Sequence, residues 1–374
     1  MLLKSFNLKK QTKDFVIRHI YKKQFIVDFF LFLIKKLEIN KSVSNFLHKK
    51  DFHKELNKCI FFTTRSLLSE IGNLIKQKEY PNIKLKKINK KKQEIYFVKS
   101  SNINKFAENF LNKISNNFIL VSGDSDTEIR IDDSQTDFKL KVSILKILNN
   151  KKLINWYSQN LFFDHHKTIS LPHGLDYHTI WENRKNWEDF RYSPSFQEKR
   201  LIQILNNSKH FNDRKNLIFN NWHFSLNHGN RKKIYETINK KDNYFLENRI
   251  TRFSNWEIQS QYRYIFCPSG KGLDDPRIYE SIILGNIPIR IEDQLSKFHE
   301  GLPIINIKSL DDLNLDFINS KFINFDSQKF DFQKLFLDYW RKKLNLEYKH
   351  DTKDFENITI MKFRANIINF YINN

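Results

Sequence analysis

The sequence predicts an α/β protein with two domains, each containing a parallel β-sheet. Short apolar runs alternate along the chain with amphipathic stretches of helical periodicity, which is the pattern of β-α-β units. The pattern occurs on both sides of residues 168–181, where Pro172 and Gly174 break regular structure. The chain has 374 residues, a length that fits two domains of roughly 170 to 200 residues each. We therefore place the boundary between the domains near residue 190.

The first 58 residues are predicted to form a basic helical segment, because apolar side chains recur at three- and four-residue steps between Phe25 and Leu33. Residues 1–100 contain 24 Lys and Arg against 8 Asp and Glu, so they carry most of the net charge of +22. Such a charge favours nucleic acid or an anionic membrane as a partner. The lysines alternate with Phe and Leu, and no nucleic-acid-reading motif accompanies them. We therefore expect a peripheral membrane contact through residues 1–100 and no nucleic-acid partner.

The amino-terminal domain is predicted to cover residues 59–190. Its strands are expected at three apolar runs, residues 59–64, 94–100 and 117–123. The amphipathic residues 104–116 fit a helix between the last two runs. The lysine-rich residues 84–94 are expected to form a solvated loop or helix face, since charge of one sign dominates them.

The carboxyl-terminal domain is predicted to cover residues 191–374. Its strands and helices are expected in alternation, with strands at 215–221, 262–270 and 287–293 and helices at 230–240 and from Pro276. Two further segments, residues 331–350 and 351–374, are predicted to be terminal helices.

Hydropathy and cysteine usage favour a cytoplasmic protein. The longest apolar run, residues 25–34, is too short to cross a bilayer and is interrupted by Asp28. The first residues lack the continuous apolar core of a secretory signal. Cys59 and Cys267 are too few for a disulfide framework or a zinc site. We expect a cytoplasmic protein without a metal site, peripheral on the inner surface of the membrane.

The segment "FCPSGKGLDDPRIYESIILGNIPI" at residues 266–289 combines an apolar strand, a glycine-rich loop and a helical pattern. A loop that leaves a parallel strand and enters a helix offers unpaired backbone N–H groups and the positive end of the helix dipole, which favour phosphate. Gly270 and Gly272 let the backbone approach a ligand closely. Asp274 or Asp275 is a natural N-cap, and Pro276 suits the first helical turn.

Two charged residues of this helix add ligand chemistry. Arg277 and Glu280 are three residues apart and share one helix face. The arginine is a cation for a diphosphate, and the glutamate can accept hydrogen bonds from both hydroxyls of a ribose. Together they predict a site for a nucleoside diphosphate. The alternative from the motif alone is a capped helix with an Arg–Glu pair on the protein surface.

This segment resembles the donor-site signature of exostosin-like glycosyltransferases and their bacterial and viral relatives. In that pattern an apolar strand is followed by Pro-x-Gly-x-Gly-x-Asp, an Arg, a Glu and a small-residue helix ending in Gly-x-Ile-Pro. The matching residues are Pro268, Gly270, Gly272, Asp274, Arg277, Glu280, Gly285, Ile287 and Pro288. Weaker similarity extends over residues 95–345. The sequence departs from the pattern at Pro276, Ser281 and Asp124, where His, Ala and Asn are common.

The resemblance implies a GT-B architecture, in which two Rossmann-like domains face each other across a cleft. The carboxyl-terminal domain would hold the nucleotide sugar, and the amino-terminal domain would hold a glycan or lipid-linked acceptor. Transfer would be inverting and independent of metal, with no cofactor besides the donor substrate. The residues implied in substrate binding are Ser269, Gly270, Lys271, Gly272, Asp274, Arg277, Glu280 and Arg231.

An inverting transfer needs a general base that takes the proton of the acceptor hydroxyl. Asp126 follows the predicted strand 117–123 and matches the family's turn aspartate, so it is the predicted base, with Asp124 as its neighbour. The alternative is an Asx turn that only ends the strand.

Three other functions remain open from the sequence. Asp124 and Asp126 form an Asp-x-Asp, which in metal-dependent GT-A glycosyltransferases ligates the ion that bridges the donor phosphates. The chain could also bind a sugar nucleotide without catalysis. The third hypothesis, based on the basic residues 1–100, is a non-catalytic protein that binds a membrane surface or nucleic acid.

Overall fold

The computed structural model describes residues 52, 54–71, 83–88, 93–132, 137–182, 192–323 and 330–346. The predicted basic helical segment falls almost entirely outside these ranges. So does the predicted terminal helix at residues 351–374. The described residues form an α/β structure with two separate five-stranded sheets.

Ten α-helices lie wholly within the described ranges. They are α1 Thr64–Ile71, α2 Ile103–Asn109, α3 Phe138–Leu148, α4 His178–Glu182, α5 Pro194–Asn207, α6 Arg231–Thr237, α7 Arg252–Gln259, α8 Pro276–Ile283, α9 Leu315–Ile323 and α10 Leu337–Lys343. None of these helices is long and apolar enough to cross a membrane.

The first sheet lies in the amino-terminal half, with its strands in sequential order β1-β2-β3-β4-β5. The strands are β1 Ile83–Ile88, β2 Gln93–Lys99, β3 Asn117–Gly123, β4 Leu153–Ser158 and β5 Thr168–Ser170. The edge strand β1 pairs antiparallel with β2, and the other neighbours are parallel. This confirms the predicted strands at 94–100 and 117–123.

Two predictions in this half are wrong. Residues 59–64 form no strand, because backbone groups of residues 335–337 and 173–175 occupy their hydrogen bonds, leaving only isolated bridges. The lysine-rich region expected to be a loop or helix face contains β1. The alternation of Ile83, Lys84, Leu85 and Lys86 is a period of two that the high charge obscured.

Helices cover both faces of the first sheet. Strands β2, β3 and β4 advance in one direction, so right-handed crossovers place α2 and α3 on the same face. Apolar side chains of both helices pack there against β2, β3 and β4. The opposite face is covered by α1 and by α10 from the end of the described chain. A buried ion pair between Arg341 of α10 and Glu70 of α1 holds these two helices together on this face.

The second sheet is fully parallel and has the order β10-β9-β8-β6-β7. Its strands are β6 Lys215–Asn220, β7 Asn243–Phe245, β8 Tyr262–Phe266, β9 Ile287–Ile291 and β10 Ile305–Ile307. Helices α6 and α9 pack on one face, while α5, α7 and α8 pack on the other. The direction of strand addition reverses between β6 and β8. In open α/β sheets such a switch point opens a crevice at the carboxyl ends of the strands.

The predicted elements of this half are confirmed at β6, α6, β8, α8 and β9. The predicted helix at 331–350 is shorter than expected. It divides into a 3₁₀ turn at Phe332–Leu335 and the helix α10, with an extended Phe336 between them. The helix α10 ends at Lys343, two residues before Asn345, whose backbone is left-handed with φ of 53°. The two parallel sheets are compatible with two Rossmann-like domains.

Candidate functional site

A cleft of about 240 Å³ opens at the switch point of the second sheet. Its floor and one wall come from the segments that follow β6 and β8 and from the start of α7 and α8. Three residues of the amino-terminal half complete the wall, Asp126, His173 and Asp176. The structure therefore brings the predicted donor loop and the predicted base to one cleft.

The glycine-rich loop after β8 is packed against Arg231. A Cβ atom on Gly270 would lie 2.9 Å from Nη2 of Arg231, so the guanidinium fills the space of a side chain. The arginine donates hydrogen bonds to the carbonyl oxygens of Ser269 at 3.3 Å and Pro268 at 3.2 Å. The backbone N–H groups of Gly270, Lys271 and Gly272 form no hydrogen bond to any described residue. Three N–H donors thus remain available to a ligand at the cleft.

Asp275 is the N-cap of α8 and joins two arginines. Its Oδ1 accepts from the backbone N–H of Arg277 at 2.9 Å. Its Oδ2 accepts from Nη2 of Arg231 at 2.9 Å and from Nη1 of Arg277 at 2.7 Å. Burial alone would raise the pKa of Asp275, but the charges of Arg277 and Arg231 outweigh it and lower that pKa. Two cations share one carboxylate, which leaves one net positive charge beside the glycine-rich loop.

The alternative interpretation of Arg277 and Glu280 as an ion pair on the protein surface is wrong, because each has a different partner. Arg277 donates through Nε to Oδ1 of Asn221 at 3.0 Å, besides its bond to Asp275. Glu280 is buried and accepts from Nη2 of Arg252 at 2.6 Å and from Nε1 of Trp256 at 2.9 Å. Both Arg277 and Glu280 line the cleft.

Arg252 links Glu280 to the amino-terminal half. Its Nη1 donates to the carbonyl oxygen of Asp176 at 2.5 Å, and its Nη2 lies 3.5 Å from Oδ2 of that residue. Burial would raise the pKa of Asp176, but the neighbouring His178 and Arg252 lower it well below its usual value. The sequence analysis missed Arg252 and Trp256, which lie one helical turn apart on α7. Without the fold, nothing shows that α7 passes behind Glu280.

Asp274 is not the N-cap and serves as a contact between the two halves. Its Oδ2 accepts from the backbone N–H of His173 at 2.7 Å and from the hydroxyl of Tyr279 at 2.6 Å. The carboxyl group is buried, and this burial raises its pKa. The glycine-rich loop is therefore bonded to the amino-terminal half rather than separated from it by open solvent.

Asn160 makes a second link of this kind, which the sequence analysis also missed. It follows β4, and its Oδ1 accepts from the backbone N–H groups of Leu273 at 3.1 Å and Asp274 at 3.4 Å. Its Nδ2 donates to the carbonyl oxygen of Ser125 at 3.2 Å. The only signal for it in the sequence was its place in a segment that we expected to resemble the glycosyltransferase pattern. Its partners lie 35 residues away at Ser125 and more than 110 residues away at Leu273 and Asp274.

The two aspartates of the turn after β3 have different surroundings. Asp126 is exposed and lines the cleft. Asp124 has a left-handed backbone with φ of 53° and forms ion pairs with Arg65 at 2.7 Å and Lys99 at 3.7 Å. Asp124 is not among the residues that line the cleft. The Asp-x-Asp thus directs one carboxylate to the cleft and the other to a basic pair.

The pKa of His228 is shifted by burial and by the charges around the cleft. Its pKa is lowered by partial burial and then by the positive charges of Lys271 and Arg231, while Asp126 acts in the opposite direction. Lys271 and Ser269 are exposed on the loop, and Lys271 lines the cleft. Cations from the carboxyl-terminal half therefore face the Asp126 carboxylate across the opening.

Within the part of the chain that the structure describes, no group of three or more His, Cys, Asp or Glu side chains is arranged to hold a metal ion. Cys59 and Cys267 are buried free thiols. Comparison of the chain with models of known protein families and with curated proteins finds no match.

Proposed function

We propose that this protein is a GT-B glycosyltransferase that moves a sugar from a nucleoside diphosphate to a glycan or lipid-linked acceptor. One observation carries the proposal. At the switch point of a parallel sheet, a glycine-rich loop with three N–H groups that bond to no described residue lies beside two arginines that share a single carboxylate. Backbone N–H groups and a net positive charge in one crevice are what a diphosphate requires.

The donor would bind with its diphosphate on Gly270, Lys271 and Gly272, between the loop and the guanidinium of Arg277. The N–H groups at the start of α8 are not expected to take part, because Asp275 caps the helix. The ribose would lie at Glu280, whose oxygens are oriented by Arg252 and Trp256 and keep lone pairs for its hydroxyls.

Asp126 is the proposed general base. It reaches the cleft from the amino-terminal half, where the acceptor would bind, and lies opposite the loop that would hold the donor. In an inverting transfer its carboxylate accepts the proton of the acceptor hydroxyl while that oxygen attacks the anomeric carbon. The bond from the anomeric carbon to the diphosphate oxygen breaks, and the loop N–H groups and Arg277 stabilise the leaving diphosphate. The donor substrate is the only small molecule that this mechanism requires.

Residues 1–100 lead us to propose where the protein acts in the cell. Their excess of Lys and Arg fits peripheral attachment to the inner surface of an anionic membrane, which would bring a lipid-linked acceptor to the cleft.

The proposal is tested by a thermal-shift screen of nucleosides, nucleoside monophosphates, nucleoside diphosphates and nucleotide sugars in buffer with EDTA. A ligand at 100 times its dissociation constant stabilises the fold by about 2.7 kcal/mol. We expect one diphosphate and its sugar derivatives to raise the melting temperature, and the matching nucleoside to have little effect. Stabilisation that appears only with added Mn²⁺ would favour the GT-A mechanism. No response to any nucleotide would refute the proposal.

A further inference from the structure

Asn160 occupies a backbone conformation that few side chains tolerate. Its φ is 48°, in the left-handed region where Asn is one of the few favoured non-glycine residues. Its own carbonyl oxygen accepts from the N–H of Ile129 at 2.8 Å, which holds the backbone in place just after β4. The side-chain amide is thus presented from a fixed position at the edge of the first sheet.

That amide joins the two sides of the cleft. Its oxygen accepts from Leu273 and Asp274 in the donor loop, and its nitrogen donates to the carbonyl oxygen of Ser125 in the turn that carries Asp126. The fit is close, because a Cβ atom on Gly272 would lie 3.2 Å from the Asn160 amide. A carboxylate or a hydrocarbon at this position could not donate to one partner and accept from the other.

The turn itself is held in the same way on its other side. Gln159, the neighbour of Asn160, accepts through Oε1 from the backbone N–H of Asp124 at 2.7 Å. Arg65 pairs with the Asp124 carboxylate. The turn is therefore fixed to the first sheet, and Asn160 alone of these residues also reaches the donor loop.

We infer that Asn160 is a positioning residue that sets the distance and orientation of Asp126 relative to the donor. The inference rests on the proposed glycosyl transfer. Transfer requires the base, the acceptor oxygen and the anomeric carbon to be held in a reactive geometry, and a displacement of about 1 Å can cost roughly 10²-fold in rate. Donor affinity depends on the loop N–H groups, Arg277 and Glu280, none of which bonds to Asn160.

Asn160→Gly is the direct test, because glycine adopts the left-handed backbone freely and removes only the amide. Asn345→Gly is the matched control. Asn345 also has a left-handed backbone, with φ of 53°, but lies after α10 and away from the cleft. Both variants are made in the full chain and compared with the parent in two measurements.

The first measurement is amide hydrogen exchange without nucleotide. Asn160→Gly is expected to speed exchange at Leu273 and Asp274 by about fivefold, the effect of losing an ordinary hydrogen bond. Asn160→Asp keeps an acceptor for these N–H groups and should protect them more than the glycine variant does. The control should exchange at the parental rate. Parental exchange in Asn160→Gly would refute the inference without touching the proposed function.

The second measurement separates turnover from binding, using the nucleotide sugar that stabilises the parent. Asn160→Gly is expected to lower kcat by about 10²-fold and to leave the donor Kd within about threefold, a change below the loss of one hydrogen bond. The control should keep both values. A parental kcat, or a loss that lies entirely in Kd, would overturn the positioning role. If the parent itself binds no nucleotide sugar, the proposed function fails and the positioning role fails with it.

Discussion

Replacing Arg277 with alanine removes one of the two cations that share the Asp275 carboxylate. The remaining Arg231–Asp275 pair is neutral, so this cluster loses its net positive charge, and Lys271 remains as the cation of the glycine-rich loop. A hydrogen bond to a charged partner contributes about 1.5 to 3 kcal/mol, which corresponds to roughly 10- to 150-fold in the dissociation constant of a nucleoside diphosphate. Binding of the matching nucleoside should change much less, because it has no phosphate for the guanidinium to contact.

The assay is calorimetric titration of the diphosphate and the nucleoside into parent and variant. Asp275 keeps Arg231 and its cap of α8 in the variant, so the fold should persist. Arg200→Ala serves as the matched control, since Arg200 pairs with the exposed Glu257 and does not line the cleft. Equal diphosphate affinity in parent and Arg277→Ala would refute the assignment of Arg277 to the phosphates.

Three further predictions concern single side chains of the cleft. Glu280→Gln should destabilise the fold by about 3 kcal/mol in chemical denaturation, because Arg252 and Trp256 bond to different oxygens of Glu280 and the NH2 group of Gln would face one of these two donors. An unchanged unfolding midpoint would contradict this pairing. Bound diphosphate should raise the lowered pKa of His228, because its negative charge favours the protonated ring. The diphosphate affinity of the parent, divided by that of His228→Gln, should therefore increase as the pH falls from about 7 to 5.5, around the usual His pKa. A ratio that stays constant over this range would argue against contact between His228 and the diphosphate. Asp126→Asn should lower transfer by about 10² to 10⁴ and leave donor affinity unchanged, whereas parental turnover would place the base elsewhere.

Local signals in the sequence predicted most of the second sheet. The strands β6, β8 and β9 are apolar runs bounded by polar or glycine-rich residues, and Pro276 after two aspartates marked the start of α8. The short strand β7 has only three residues, too few to show a period. The parallel pairing of β7 with β6 depends on the path of the chain through α6, which the composition of β7 does not indicate.

The site was predictable where its residues lie in one segment and not where they come together from distant ones. The loop from Gly270 to Glu280 was found because its residues follow each other along the chain. The ion pair of Glu280 with Arg252 and the bridge through Asn160 depend on how α7 and β4 approach the loop. Asp274 shows the limit within the motif itself. Asp275 is the N-cap of α8, and Asp274 instead accepts a hydrogen bond from the backbone N–H of His173 in the amino-terminal half.

Slow hydrolysis of the donor in the absence of acceptor tests the central claim most directly. Water takes the place of the acceptor hydroxyl, so the protein should release nucleoside diphosphate and free sugar from the nucleotide sugar that stabilises it. Proton NMR of the anomeric signal follows the reaction in EDTA, with Asp126→Asn as the control. We expect release with inverted anomeric configuration, and a much slower release by the variant. Retained configuration, a requirement for Mn²⁺, or no release by the parent would contradict it.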